Sequence, residues 1–426
     1  MEMPQTLPDN VKPMPVDVKT GDLSVPAYTL TFFFTILYIL IDYGRPQEIL
    51  PIGFLRPTLI CIIGLIIGLV FEGGLWRSWS RQTKIILLIN LLIMAYIPFA
   101  RNTRAAFQTF LVMISYIPFI LAVIASVNTM GRLKKLVNVL ILIMLYQALY
   151  ALAHKGVGAG SYFSDENDLS LYINMWLPFC YFLFSQTDST KARILYGAGI
   201  LAGLASIVVS FSRGGFVGLV AMSAAAWFFS TRKALTLGIT CVFVLMAVLV
   251  GGNTYIKEMS TVTDTKESTA QQRILSWKAA WYMFLDNPLG VGGNNFQKNF
   301  HRYQPRELKK GMWNRVAHSL WFTLIPELGI FGIILYFLLL KYNIKDVLAL
   351  KNIPDRDDGN VRYLHQLSRA YIVSLVGFFA SATFLSVLYY AHYWYLSAMI
   401  VATAAIATRL RLLREETQVM QGSPVR

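Results

Sequence analysis

Long stretches without a charged side chain recur along this chain of 426 residues, and they limit its fold more than any other feature. Residues 105–126 and 136–153, for example, contain no Asp, Glu, Lys or Arg. A helix needs about 20 apolar residues to cross a hydrocarbon core of roughly 30 Å. Because lipid offers no partner to backbone amides, such stretches must be helical. Hydrophobic residues make up 55% of the chain and charged residues 14%, which is typical of a membrane protein.

The hydropathy pattern predicts an all-α bundle of about twelve transmembrane helices. With that number of spans, both termini lie on the same side of the membrane. In chain order, the predicted spans are 27–43, 51–71, 83–99, 105–126, 135–153, 168–185, 193–210, 214–230, 234–251, 317–340, 367–387 and 389–409.

The lysines and arginines of the short connections orient this bundle, because cytoplasmic loops are enriched in them. The clusters at 132–135, 191–193 and 232–233 all fall on one side, which we therefore predict to be cytoplasmic. The predicted organisation is a cytoplasmic tail at 1–26, transmembrane helices within 27–251, a helical external loop domain at 252–316, further transmembrane helices within 317–409 and a cytoplasmic tail at 410–426.

The formal net charge of +15 does not indicate a nucleic-acid partner. Its basic residues are scattered at the ends of apolar stretches, where they orient helices and contact the headgroups of membrane lipids. No two histidines share metal-ligand spacing, and neither a Walker A motif nor a Gly-x-Ser-x-Gly elbow occurs. The sequence therefore predicts no metal site, no nucleotide-driven transport and no hydrolase chemistry.

Arg213, in Ser212-Arg213-Gly214-Gly215, lies between two apolar stretches on the predicted external side, where the topology rule disfavours positive charge. An arginine at membrane depth costs several kcal/mol unless it is paired or hydrated. Its planar guanidinium suits a phosphate or diphosphate, and the glycines let a ligand approach the backbone. The alternative is an arginine at a helix end whose side chain extends to the membrane interface. This alternative explains the position of Arg213 at membrane depth, but it does not explain a positive charge on the external side of the membrane.

His318 is predicted to open a helix on the same external side. A histidine there can accept a proton near neutral pH, as a base that activates a hydroxyl must. The alternative is an interfacial histidine that is hydrogen-bonded at a helix start. The remaining histidines are weaker candidates: His154 and His301 in loops, His365 on the cytoplasmic side, and His392 in an apolar helix without an evident partner.

Two further charged residues are candidates for function. Arg273, near the start of a predicted external helix, is either a ligand-binding charge or a solvated one. Glu327 lies within a predicted transmembrane helix and is therefore a functional candidate. It follows His318 by nine residues, and nine steps of 100° place it about 180° around the helix. A buried arginine is therefore its predicted partner, rather than His318.

The predicted external domain contains one clear helix signal. Ser268 and Gln271 match a capping box, and Asn287 followed by proline stops the helix. Trp277 and Trp281 share one stripe between these ends, a pattern typical of a helix on the membrane surface.

Acidic residues begin another predicted external helix. Asp165 and Asp168 could hold an acceptor sugar or a cation. Capping of the helix by Asn167 or Asp168 explains the same pattern.

Several of these motifs, in this order, resemble the O-antigen ligase and polymerase superfamily over roughly residues 160–340. The first 150 residues resemble it only in hydropathy. Asp165 to Asp168 followed by Asn174 also resembles a family segment, although the family more often has proline where this chain has Glu166. The motifs are Ser212-Arg213-Gly214-Gly215, Arg273 with Trp277 and Ala280, Asn287-Pro288-Leu289-Gly290-Val291-Gly292 with Phe296, and Ala317-His318-Ser319 with Leu324, Glu327, Leu328 and Gly329.

The resemblance implies a cofactor-free, metal-independent, inverting glycosyltransferase of the polytopic GT-C kind, in the bacterial inner membrane with its active site facing the periplasm. Its donor would be a glycan on undecaprenyl diphosphate, and its favoured acceptor the lipid A core. Arg213 and Arg273 match the family's arginines that hold the diphosphate, and His318 matches the histidine proposed to activate the acceptor hydroxyl. Arginine is suited to stabilising phosphate charge where another enzyme would use magnesium.

More arginines lie on the predicted external side, where they could widen the positive surface for the diphosphate. Each of them is otherwise an ordinary interfacial charge. They are Arg45, Arg56, Arg101, Arg104, Arg302 and Arg315.

Three alternatives remain open at the level of sequence. The acceptor could be another lipid-linked repeat unit, as in a polymerase, or a protein, as in an O-oligosaccharyltransferase. The third alternative is a glycolipid flippase or transporter. Such a protein should show inverted repeats and paired broken helices, which the sequence lacks.

Overall fold

A computed structural model describes residues 27–260, 268–304, 315–354 and 358–420. Within these ranges every regular element is a helix. The chain is an all-α membrane protein, as the sequence predicts.

The helices follow one another with short connections. In chain order they are α1 (Thr29–Gly44), α2 (Pro46–Ile49), α3 (Pro57–Phe71), α4 (Arg81–Tyr96), α5 (Thr103–Ser115), α6 (Ile117–Ser126), α7 (Met130–Ala153), α8 (Glu166–Phe184), α9 (Thr190–Ser210), α10 (Arg213–Phe229), α11 (Lys233–Met246), α12 (Gly252–Ser260), α13 (Ser268–Asp286), α14 (Phe296–Tyr303), α15 (Trp321–Ala349), α16 (Gly359–Ala382) and α17 (Ala391–Met420).

A helix lies at every predicted span. Of the described helical stretches, 7 are long and apolar enough to cross a membrane, judged by length and composition. Thr29–Gly44, Arg213–Phe229 and Lys233–Leu249 are apolar but shorter. The two remaining predicted spans correspond to α8 and α16, which carry more polar residues. The structure therefore supports the helical bundle, and the crossing number of about twelve stays a prediction.

Helix α8 is buried on all sides. Every residue at 169–183 is buried, and α7, α9, α10 and α16 all pack against it. A helix that is buried on every face lies in the interior of a bundle. The neighbouring helices thus shield this part of α8 from lipid, while Glu166 and Asp168 in its first turn are half-buried.

Small residues allow α10 and α16 to approach α8 closely. A Cβ at Gly218 would lie 1.9 Å from Ser381 Oγ, and one at Gly377 would lie 2.8 Å from the Asn174 carbonyl oxygen. Asn174 also donates hydrogen bonds to the Gly215 carbonyl at 2.8 Å and to Ser381 Oγ at 3.1 Å. Close backbone approach and buried polar contacts are the usual means of packing helices in membranes. These contacts fix the start of α10 relative to α8.

Helix α15 is broken near its beginning, where residues 287–296, here called the turn segment, pack against it. Gly329 has φ 59 and ψ −159, and Pro326 precedes it. The break frees backbone groups, which pair instead with the turn segment: Val291 N donates to Pro326 O at 2.9 Å and Gly292 N to Glu327 O at 3.0 Å. A Cβ at Gly329 would lie 2.3 Å from the Leu289 carbonyl carbon, so only glycine fits there.

Candidate functional site

His318 lies in a loop before α15. The helix itself begins at Trp321, so the expectation that His318 opens a helix is wrong. The loop is held from two sides, because the Ala317 carbonyl accepts from Trp277 Nε1 at 3.0 Å and Leu320 N donates to Ala382 O at 2.9 Å. His318 itself has φ 46, a left-handed conformation that costs about 1–3 kcal/mol in a residue with a side chain. Such strain concentrates at functional sites.

The surroundings of His318 keep its imidazole neutral. The side chain is half-buried, and burial together with the charges of Arg273 and Arg315 lowers its pKa, while Asp165 acts in the opposite direction. Burial and nearby positive charge both disfavour the imidazolium form. At neutral pH, His318 is therefore a proton acceptor in a cationic environment.

Arg273 and Arg315 reach this environment from two separate segments. Arg273 lies one helical turn before Trp277 on α13 and is half-buried. Trp277 stacks on Phe322 with ring centroids 5.1 Å apart. Arg315 lies three residues before His318 and donates to Gln272 Oε1 on α13 at 2.5 Å. The contacts of Trp277 and Arg315 hold the His318 loop against α13.

Arg213 is the first residue of α10 and is half-buried. Phe211, with φ 52, reverses the chain between α9 and α10. Ser212 then caps α10 by accepting from Gly215 N at 2.9 Å, and its hydroxyl donates to Asn167 Oδ1 at 2.7 Å. The start of α10 is thus fixed to the start of α8.

Aromatic side chains connect the start of α10 to α13 as well. The Cβ position at Gly214 is 3.6 Å from Phe384 Cβ, and the Phe384 ring lies 6.3 Å from Trp277. Arg213 and Arg273 therefore lie on two helices that approach the same aromatic cluster. We call the end of the bundle that holds Arg213, Arg273 and His318 the site end.

Asp165 has a structural role in addition to its charge. It caps α8 by accepting from Asn167 N at 2.8 Å, and it also accepts from Asn167 Nδ2 at 2.9 Å. Capping by Asn167 or Asp168 is therefore wrong, because the helix begins two or three residues earlier than these positions would require. Asp168 instead accepts from the Tyr390 hydroxyl at 3.2 Å.

The predicted pairing of Glu327 with a buried arginine is wrong. Its carboxylate is buried and accepts from Asn294 N at 2.7 Å, from Phe296 N at 2.8 Å and from the Tyr389 hydroxyl at 2.7 Å. The turn segment leaves these backbone amides without helical partners, and a carboxylate is the strongest acceptor available. Glu327 therefore holds the turn segment against α15.

The other predicted arginines differ in their contacts. Arg45 Nη1 donates to Glu48 Oε1 at 3.0 Å, and its guanidinium lies 4.9 Å from the centre of the Tyr162 ring. Arg101 donates to the Lys298 carbonyl at 2.9 Å and contacts His301. The remaining three, Arg56, Arg104 and Arg302, are exposed.

Two expectations about aromatic and histidine side chains are also corrected. Trp277 is half-buried and its ring stacks on Phe322 of α15, so it does not lie on the membrane surface together with Trp281, which is 48% exposed. His392 has a partner after all, because its Nδ1 lies 2.9 Å from the Tyr43 hydroxyl oxygen. The side chain of Ser268 lies outside the described part of the chain, so the capping box there stays a prediction.

Sequence reasoning missed Gln272 and Tyr390. Gln272 fixes Arg315, and Tyr390 reaches Asp168 from the start of α17. Neither belongs to a motif, and the contact of Tyr390 joins positions that are 222 residues apart. Among the described residues, no three His, Cys, Asp or Glu side chains group together as metal ligands would.

The comparisons with known proteins bear on this same region. Residues 198–337 match a family model described as O-antigen ligase. The matched region contains Arg213, Arg273, His318 and the turn segment. No curated protein matches the chain. An activity of O-antigen ligase or polymerase type follows from the family match. The match at residues 198–337 supports the resemblance to the O-antigen ligase and polymerase superfamily that the sequence motifs carry.

Proposed function

We propose that this protein transfers a glycan from undecaprenyl diphosphate to an acceptor hydroxyl with inversion at the anomeric carbon, and that the acceptor is the lipid A core. The observation that carries the proposal is the environment of His318. A neutral imidazole shares its surroundings with Arg273 and Arg315, and Arg213 begins a helix fixed to the same end of the bundle. This combination suits a reaction that needs one base and several cations.

The chemistry assigns a separate role to each group. His318 takes the proton of the acceptor hydroxyl as its oxygen bonds to the anomeric carbon of the donor. The bond between that carbon and the diphosphate oxygen breaks, and the bonding electrons leave with the diphosphate. Arg213 and Arg273 stabilise the developing charge, and bidentate guanidinium contacts are well matched to phosphate oxygens. A diphosphate departs without a general acid, so no second proton donor is needed.

Exclusion of water favours transfer over hydrolysis. Water competes with the acceptor hydroxyl for the same anomeric carbon. Helix α13 packs against α14 and α15, and Glu327 holds the turn segment beside them. These elements place a packed layer next to His318, and we propose that this layer closes over the bound donor.

The proposed location is the bacterial inner membrane, with the site end facing the periplasm. The distribution of lysines and arginines supports this orientation. The short connections at the site end contain fewer of them than those at the other end, and cytoplasmic connections are the ones enriched in these residues. The proposed domain division places a loop domain at 252–316 on the external side, since long loops cross the membrane largely regardless of their charge.

One reconstitution distinguishes ligation from the other candidate functions. Purified protein would be incubated with undecaprenyl-diphosphate-linked glycan, with and without lipid A core. A single shifted product that requires the core supports ligation, and a ladder of products without core indicates polymerisation instead. Product on neither substrate would favour a protein acceptor or glycolipid transport.

A further inference from the structure

A cavity of about 220 Å³ lies at the opposite end of the bundle from the candidate site. It lies between the start of α4, the second half of α15 and the middle of α17. Helix α4 begins at the cavity with Arg81 and ends at Tyr96, whose carbonyl oxygen lies 3.6 Å from the Cβ position of Gly292 in the turn segment. The 15 steps from Arg81 to Tyr96 correspond to about 22 Å along a helix, so this cavity and the turn segment lie at opposite ends of the bundle.

The lining of the cavity is strongly cationic. Its basic residues are Arg81, Lys84, Lys345 and Arg411, and Asp346 is its one carboxylate. Asp346 accepts from Gln82 Nε2 at 2.5 Å.

Two of the cations already have partners. Arg411 pairs with Glu415 at 2.9 Å on the protein surface, and the guanidinium of Arg81 lies 5.2 Å from the Tyr342 ring. Exposed ion pairs of this kind contribute little to stability and exchange readily. The lining together with Glu415 holds four basic and two acidic side chains, so its positive charge exceeds its negative charge.

The cavity is also large enough for a polar headgroup. One water molecule needs about 10–15 Å³ of such volume, so this space exceeds the needs of one water more than tenfold. A carboxamide from Gln82 and a hydroxyl from Ser80 add hydrogen-bonding groups to its wall. A phosphate ester with a small polar substituent has a matching size and charge.

Apolar surface adjoins the cavity on the same helix faces. Leu88 is 49% exposed and lies four residues after Lys84, and Leu348 is 45% exposed and lies three residues after Lys345. Residues three or four apart share one face of a helix. Trp79, which lines the cavity, is 41% exposed, and tryptophan is enriched at membrane interfaces. A ligand with a phosphate and acyl chains could place its phosphate in the cationic cavity and its acyl chains on this apolar surface.

We propose that this cavity binds the phosphate-bearing headgroup of an anionic phospholipid, with the acyl chains along the exposed faces of α4 and α15. This site is distinct from the donor site, and its occupancy does not depend on the proposed transfer reaction. The lipid phosphate would contact Lys84 and Lys345. Asp346 is the one carboxylate of the cavity lining that is available to these two lysines.

The test measures retention of phosphatidylglycerol and of phosphatidylcholine by purified protein, using native mass spectrometry. We expect one tightly retained phosphatidylglycerol, and about twenty-five-fold weaker retention in the double variant Lys84→Ala and Lys345→Ala, from about a fivefold loss per lysine. The double variant Lys191→Ala and Lys341→Ala is the matched control, because both lysines are exposed outside the cavity. It should retain the lipid as the wild type does.

Three outcomes would overturn the proposal. The first is equal retention of the two lipids, and the second is an equal loss in the control variant. The third is displacement of the lipid by inorganic phosphate at similar concentration, which would identify a soluble phosphate ester as the ligand. Lys84→Arg with Lys345→Arg should restore retention, which separates the loss of charge from a folding defect.

Discussion

Replacement of Glu327 by alanine tests its assignment as a support for the turn segment. The variant removes the acceptor of two backbone N–H groups, those of Asn294 and Phe296, and of the Tyr389 hydroxyl. A buried donor left without a partner costs about 1–3 kcal/mol, so the two amides together cost about 2–6 kcal/mol. Even about 2 kcal/mol corresponds to a roughly thirtyfold larger population of locally opened protein.

Trypsin cleavage after Lys298 measures this opening. Lys298 lies in α14, directly after the turn segment, and a helical site is cut only when it opens locally. We expect the cleavage rate in Glu327→Ala to rise by at least about thirtyfold, because cleavage follows the opened population when closing is fast. Transfer activity should fall together with this loss of local order.

Glu72 provides a matched control. Its carboxylate accepts from Leu30 N at 2.9 Å and from Thr31 N at 3.0 Å, so it also supports backbone amides, but between α1 and α3. Glu72→Ala should therefore leave cleavage after Lys298 unchanged. The support role would be refuted if Glu327→Ala were cleaved after Lys298 at the wild-type rate and yet lost its transfer activity. That result would instead assign Glu327 a part in the transfer reaction.

Replacement of His318 by alanine should reduce transfer by about 10²–10⁴-fold at unchanged thermal stability, since general base catalysis contributes about that much; full activity would remove it from the mechanism. Arg315→Gln removes a charge that lowers the His318 pKa, so the acidic limb of the kcat/KM pH profile should move to higher pH, and an unmoved limb would contradict the assignment of His318 as the base. Gly329→Ala should lower the unfolding midpoint, because its Cβ would lie 2.3 Å from the Leu289 carbonyl carbon; a wild-type midpoint would contradict the close packing. In intact cells, an impermeant thiol reagent should label Lys298→Cys and leave Lys191→Cys unlabelled, and the reverse pattern would invert the proposed orientation.

The positions of the helices could be predicted from sequence because their signals are local. Hydropathy depends on each stretch alone, and the stop at Asn287 before proline is a property of adjacent residues, so α13 ends at Asp286 as expected. The same is true of the family motifs, each of which is short and continuous.

Side-chain partners could not be predicted in the same way. Glu327 lies 31 residues from Phe296, and Tyr43 lies 349 residues from His392, so no periodicity connects them. The predicted angle between His318 and Glu327 requires a regular helix from His318 onward, whereas α15 begins only at Trp321 and breaks at Gly329. Where a helix is interrupted, its residues no longer follow the spacing of 100° per residue.

The central claim is that cations hold the diphosphate while His318 acts only on the acceptor. Binding of undecaprenyl-diphosphate-linked glycan to His318→Ala and Arg273→Ala, measured beside transfer, tests this division most directly. We predict that His318→Ala binds the donor with wild-type affinity and forms no product, and that Arg273→Ala loses donor binding. Wild-type donor binding and transfer by Arg273→Ala, or continued transfer by His318→Ala, would contradict the account.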